Sequence, residues 1–266
     1  MRGRLTLLIA TTLLALVSSG FGHGRQPMIE TPPAATSGRL ALVIANAAYP
    51  DAEAPLAYTR NDGAALAATL LRNGYDVTFI RDATREQTSR AVEQLESKVR
   101  PGSTVFVWFG GYGVQSRGTN YLLPADSSIW VERDIRTYGL DLSGLLSELQ
   151  QRGAVKRIAL VDASRRNPFE RRFRSYSHGL APMPGSSDEL IGFALPPNVV
   201  ADDVPATHGP FGTSLLGALN PSSSQTDSGA VDVPAAVAAE ITADRVFSPT
   251  TAARNASSTS GKDASS

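Results

Sequence analysis

Short unbroken apolar runs alternate with longer stretches of helical period, and that alternation organises the chain. The runs are Leu40-Ala41-Leu42-Val43-Ile44-Ala45, Val105-Phe106-Val107-Trp108-Phe109 and Ile158-Ala159-Leu160-Val161. None has a polar face, so each predicts a strand buried on both sides, as in a parallel sheet. Residues 76–80, with Val77 and Phe79 set among polar neighbours, predict a further strand, and residues 190–194 another. Between them Ala64, Leu66, Leu70 and Leu71 predict a helix stopped at Asn73-Gly74. Thr84 can cap a second helix that runs to about Val99, with Ala91, Val92 and Leu95 on one face and Pro101-Gly102 ending it. Helices also fit residues 142–151 and 211–219. Strand and helix in turn imply an α/β fold, a parallel sheet covered by helices on both faces.

The ends of the chain read differently. Arg2 and Arg4 precede an apolar stretch over residues 5–17, and Ser18, Ser19 and Gly20 supply the small residues of a cleavage site, so residues 1–20 predict a signal peptide. The stretch is short of the ~20 residues that a membrane-spanning helix needs. The expectation is an exported protein, periplasmic or secreted, with no stable membrane span after signal removal. Residues 21–38 carry Pro27, Pro32 and Pro33 and predict a flexible lead-in; residues 39–220 hold the globular pattern. Residues 221–266 turn to Ser, Thr, Ala, Asp and Pro, a low-complexity and largely disordered segment.

Composition removes several kinds of chemistry. The 25 basic side chains are balanced by 25 acidic ones, so no broad basic surface points to nucleic acid. Arg165, Arg166, Arg171, Arg172 and Arg174 then read as a solvated loop whose charge is balanced elsewhere. There is no cysteine, which excludes disulfides, thiolate metal sites and thiol nucleophiles. Asp202-Asp203 offers two ligands where calcium takes six to eight, and no cofactor or metal is implied. What remains is placed at strand ends, where open α/β sheets bind ligands: Gly110-Gly111-Tyr112-Gly113 and Asp162-Ala163-Ser164-Arg165.

Several ordered motifs together resemble the bacterial caspase-like and metacaspase-like peptidases. They are the strand at 40–45, Thr59-Arg60-Asn61-Asp62, Gly110-Gly111-Tyr112-Gly113-Val114-Gln115, Asn120-Tyr121-Leu122-Leu123-Pro124-Ala125-Asp126, and Val161-Asp162-Ala163-Ser164-Arg165-Arg166-Asn167-Pro168-Phe169. The resemblance covers about residues 39 to 220 and implies a caspase-like three-layer α/β/α sandwich with a mostly parallel central sheet. In that family a histidine after the third strand and a cysteine ending the fourth carry out cysteine-type peptide cleavage. Tyr112 and Ser164 stand at those positions here.

Both replacements remove chemistry. Serine needs a positioned base more urgently than a thiol does, and a tyrosine hydroxyl with a pKa near ~10 is protonated at pH 7. The expectation is a pseudopeptidase without peptidase activity. The resemblance also implies that Asp62 and Asp162 line the primary specificity pocket, where paired carboxylates hold Lys or Arg through charge-assisted hydrogen bonds. A basic peptide or protein partner would then bind uncut. On their residues alone, Asp62 could instead cap a helix and Asp162 could pair with Arg165 or Arg166. The alternative is an active hydrolase with Ser164 as nucleophile and His178 or His208 as a displaced base; no orienting carboxylate is obvious from spacing.

Overall fold

The computed structural model describes residues 38–50, 52, 55–163, 179–183, 185–200, 206–220 and 231–242. Along the chain the elements are β1 (Arg39–Ala45), α1 (Thr59–Arg72), β2 (Asp76–Arg81), α2 (Arg85–Lys98), β3 (Ser103–Gly110), β4 (Gly113–Ser116) and β5 (Thr119–Leu122). There follow α3 (Glu132–Tyr138), β6 (Leu140–Asp141), α4 (Leu142–Gln151), β7 (Ala154–Asp162), β8 (Glu189–Phe193), α5 (Pro210–Leu219) and α6 (Val233–Thr242).

Five of the strands form one sheet in the order β2-β1-β3-β7-β8, and every pairing in it is parallel. The apolar runs explain this arrangement, because only strands covered on both sides can dispense with a polar face. In β1, Leu40, Leu42 and Ile44 join one core with Val92 and Leu95 of α2 and Leu145 and Leu149 of α4. Ala41, Val43 and Ala45 join the other, with Leu66 and Leu70 of α1 and Leu215 of α5. The result is a three-layer α/β/α sandwich, the fold class that the sequence implies.

Local signals place the helices. Thr84 Oγ1 accepts a hydrogen bond from the Gln87 amide and the Thr84 amide donates one to Gln87 Oε1, a capping box that starts α2. The chain leaves α1 through Gly74, whose φ of +79° suits a residue without a Cβ. Strands β4 to β6 form a small antiparallel sheet beside α3 that the apolar pattern does not predict. Strands of two to four residues are too short to show a period.

Two expectations need correction. The segment 221–266 is not low-complexity throughout: α6 buries Val233, Val237 and Ile241 on the α1/α5 side of the sheet. Three apolar residues four apart, within an alanine-rich stretch, suffice for an amphipathic helix. The stretch that follows the arginine run, which residue types such as Ser, Gly and Pro make loop-like and therefore expected to be exposed, is also buried in part. Leu180, Ala181 and Met183 lie in the interior, and Asn120 clamps Ala181 through both its amide N–H (2.7 Å) and its carbonyl (2.8 Å). The expected signal peptide, most of the expected lead-in, the arginine run and Asp202-Asp203 lie outside the described residues. Among the described residues no helix is long and apolar enough to cross a membrane.

Candidate functional site

The carboxyl ends of β3 and β7 are stitched together. Gly110 lies opposite Asp162 in the register, the Gly111 amide donates to the Asp162 carbonyl (3.2 Å), and the Gly113 amide donates to the Ala163 carbonyl (3.1 Å). Tyr112 is thereby held beside the end of β7. The glycines permit the close approach: a Cβ on Gly110 would stand 2.4 Å from the Trp108 ring, and one on Gly111 2.5 Å from Tyr49 Oη.

Tyr112 is a core residue. Its ring meets that of Tyr49 edge to face, with centroids 4.7 Å apart, and only 6% of the residue is exposed. Its amide donates to Tyr49 Oη (3.1 Å), and Tyr49 in turn donates to the Leu123 carbonyl (2.9 Å). Leu56, Ile129 and Ile135 complete this cluster beneath the sheet end. The Tyr112 side chain is therefore packed as part of the scaffold.

Asp62, in the first turn of α1, faces the loop before α5. It is 2% exposed; His208 Nδ1 lies 2.6 Å from Oδ1, and the Gly209 amide donates to Oδ2 (3.1 Å). Asn61 Nδ2 adds a bond to the Thr207 carbonyl (3.0 Å). A Cβ on Gly212 would lie 2.3 Å from Asp62 Oδ2, so the carboxylate is pressed against the backbone of α5. Burial pushes the Asp62 carboxyl above its ordinary range; the His208 and Gly209 bonds and the His208 charge oppose this, and the Asp162 charge adds to it. Asp162 too is buried, at 5% exposure.

A third aspartate braces the same end of the sheet. Asp82 Oδ1 accepts from the amides of Ala47 and Ala48, both at 2.8 Å, while Oδ2 pairs with Arg60. One side chain thus ties the exits of β1 and β2 to the start of α1. Among the described residues no group of three or more His, Asp or Glu could hold a metal ion.

Of the residues singled out in the sequence, Tyr112, Asp62 and Asp162 stand at one end of the sheet. Ser164 and His178 lie outside the described residues. The Asp62–His208 contact is what sequence reasoning missed: His208 does have an orienting carboxylate. The partners are 146 residues apart, and only a histidine just before the Gly209-Pro210 helix start pointed towards it.

Several motifs, the sheet order and the two strand ends agree with one family, and the model of the caspase domain matches residues 38–248. The chain belongs to the caspase domain family. The match runs beyond 220 and includes α6, so the caspase domain closes with that helix inside it. A comparison with curated proteins returns no match.

Proposed function

We propose that this caspase-domain protein is an exported pseudopeptidase of the bacterial, metacaspase-like kind that binds basic side chains of a peptide or protein partner at Asp62 and Asp162. The observation that carries this reading is the burial of Tyr112 against Tyr49, which removes a base from the position where the family keeps one. Without cysteine and without that base, peptide cleavage loses both proton transfer and a ready nucleophile. The carboxylate pair survives. A buried acid whose ionisation is opposed by burial and by a neighbouring carboxylate gains from a cation placed beside it, and Lys and Arg supply one.

Fluorogenic peptides with Lys, Arg or Asp before the scissile bond test the chemistry. No turnover is expected from the unmodified protein, and activity against Lys or Arg peptides should appear in Tyr112→His with Ser164→Cys. Binding of an uncleaved Arg peptide, read by fluorescence polarisation, should weaken about tenfold or more in Asp162→Asn. Turnover by the unmodified protein that vanishes in Ser164→Ala overturns the reading.

The 2.6 Å contact between His208 and Asp62 supports a second reading, a serine-type hydrolase. A buried carboxylate on Nδ1 fixes the tautomer and turns Nε2 into an acceptor, as in hydrolase triads. This reading requires a covalent adduct of Ser164 with a serine-directed phosphonate, lost in both Ser164→Ala and His208→Ala.

A further inference from the structure

Away from that end of the sheet, the loop before α3 presents its two apolar residues to solvent. Ile129 is fully buried and anchors the loop, but Trp130 is 64% exposed and the adjoining Val131 45%. Local bonds hold the pair in this posture. Both of their amides donate to Asp134 Oδ2 at 3.0 Å, and the Trp130 indole N–H donates to Ser128 Oγ (2.9 Å). The two side chains are adjacent and together make a small contiguous apolar patch.

Three arginines lie on the adjoining elements. The β4–β5 hairpin tip, Arg117-Gly118, has positive φ at both residues and is brought to α3 by the bond from Ser116 Oγ to Glu132 (2.8 Å). Arg117, Arg133 and Arg136 are all exposed, and Arg117 and Arg136 form no ion pair among the described residues. Of the nearby acids, Glu132 accepts from Ser116 and Asp134 accepts from the loop amides and lies 4.0 Å from Arg133, while Arg136 lines a pocket shared with Glu93, Glu96 and Asp141.

We propose that Trp130 and Val131, with the guanidinium groups of Arg117, Arg133 and Arg136, form a docking surface for an anionic phospholipid bilayer. A stable protein interface buries about 800 Å² on each partner, far more than two side chains offer. A wedge at the headgroup boundary needs only a few apolar groups. Indole is suited to that boundary because its body is apolar and its edge polar, and guanidinium groups beside it meet lipid phosphates.

The chain has two tryptophans, and the other, Trp108, is only 1% exposed, so an emission change on binding reports Trp130. The experiment uses the chain from residue 21, so that the apolar stretch over residues 5–17 contributes nothing to vesicle binding; every described element begins at or after Arg39. Vesicles of phosphatidylcholine with added phosphatidylglycerol should shift the emission to the blue and sediment the protein, less so as salt rises. Pure phosphatidylcholine should do neither. Trp130→Ala with Val131→Ala, and Arg117→Gln with Arg133→Gln and Arg136→Gln, should each lower the bound fraction about tenfold, with circular dichroism unchanged. Binding that survives both variants overturns the proposal. Emission unmoved by anionic vesicles also overturns it and leaves a protein partner as the occupant.

Discussion

Tyr75 is buried beside Phe106, with ring centroids 6.3 Å apart, yet its hydroxyl finds no hydrogen-bond partner among the described residues. Burial, only partly opposed by Arg39 and aided by Asp232, pushes its phenol up to about 12. A buried polar group without a partner costs about 1–3 kcal/mol, while the ring contributes packing. Tyr75→Phe should therefore leave stability unchanged or raise it, which urea unfolding of the two proteins will show. Alkaline titration of the unmodified protein should in turn find one tyrosine that ionises near the value above. Legibility at this scale is uneven. Asp162 and Tyr112 stand out locally because each sits at the end of an apolar strand run, whereas Asp62 was singled out only through the resemblance. The tie from Asp62 to His208 was not legible, because only folding brings α1 and the loop before α5 together.

Elements were legible wherever their cause is local. The helix α2 carries its start signal and its buried face in one stretch, and its predicted capping residue is the one found. Thr84→Ala removes a reciprocal pair of bonds there and should cost about 1 kcal/mol, measured by chemical denaturation. Where the cause is tertiary the sequence was silent: β4 to β6 are too short for a pattern, and α6 is a short alanine-rich stretch whose large apolar residues are only Val233, Val237 and Ile241. Ile241, 6% exposed, tests whether α6 belongs to the fold. Ile241→Ala should cost about 2–5 kcal/mol, as for other buried aliphatic truncations, whereas a loosely attached tail would give no measurable change.

The molecule as a whole responds to pH through aspartates of opposite habit. Burial raises Asp82, but the amides of Ala48 and Ala47 and the Arg60 ion pair outweigh it, so its carboxyl ends below the ordinary range. A depressed acid contributes stability above its unfolded pKa of about 4, and that contribution is lost as pH falls through the folded value. Asp62 is raised, so its contribution has the reverse sign: present at low pH, lost as pH climbs through its raised value. Asp82→Asn keeps an oxygen for the two amides and removes the charge. The variant should be less stable than the parent at pH 7, and the gap should close towards pH 3; a gap independent of pH would assign Asp82 a role other than through its charge.

The wholly parallel sheet has a consequence in time. No neighbouring pair of its strands is joined by a hairpin: Arg39 waits for Thr104, and Ser103 for Ala154, before either can make its ladder. Each such closure is a long loop whose entropy is lost before any contact repays it, which makes folding slow compared with helical bundles. The central strands β1, β3 and β7 therefore form together and late. Refolding followed by stopped-flow fluorescence of buried Trp108 on β3 should take milliseconds to seconds, and those three strands should be the last to exchange their amide hydrogens.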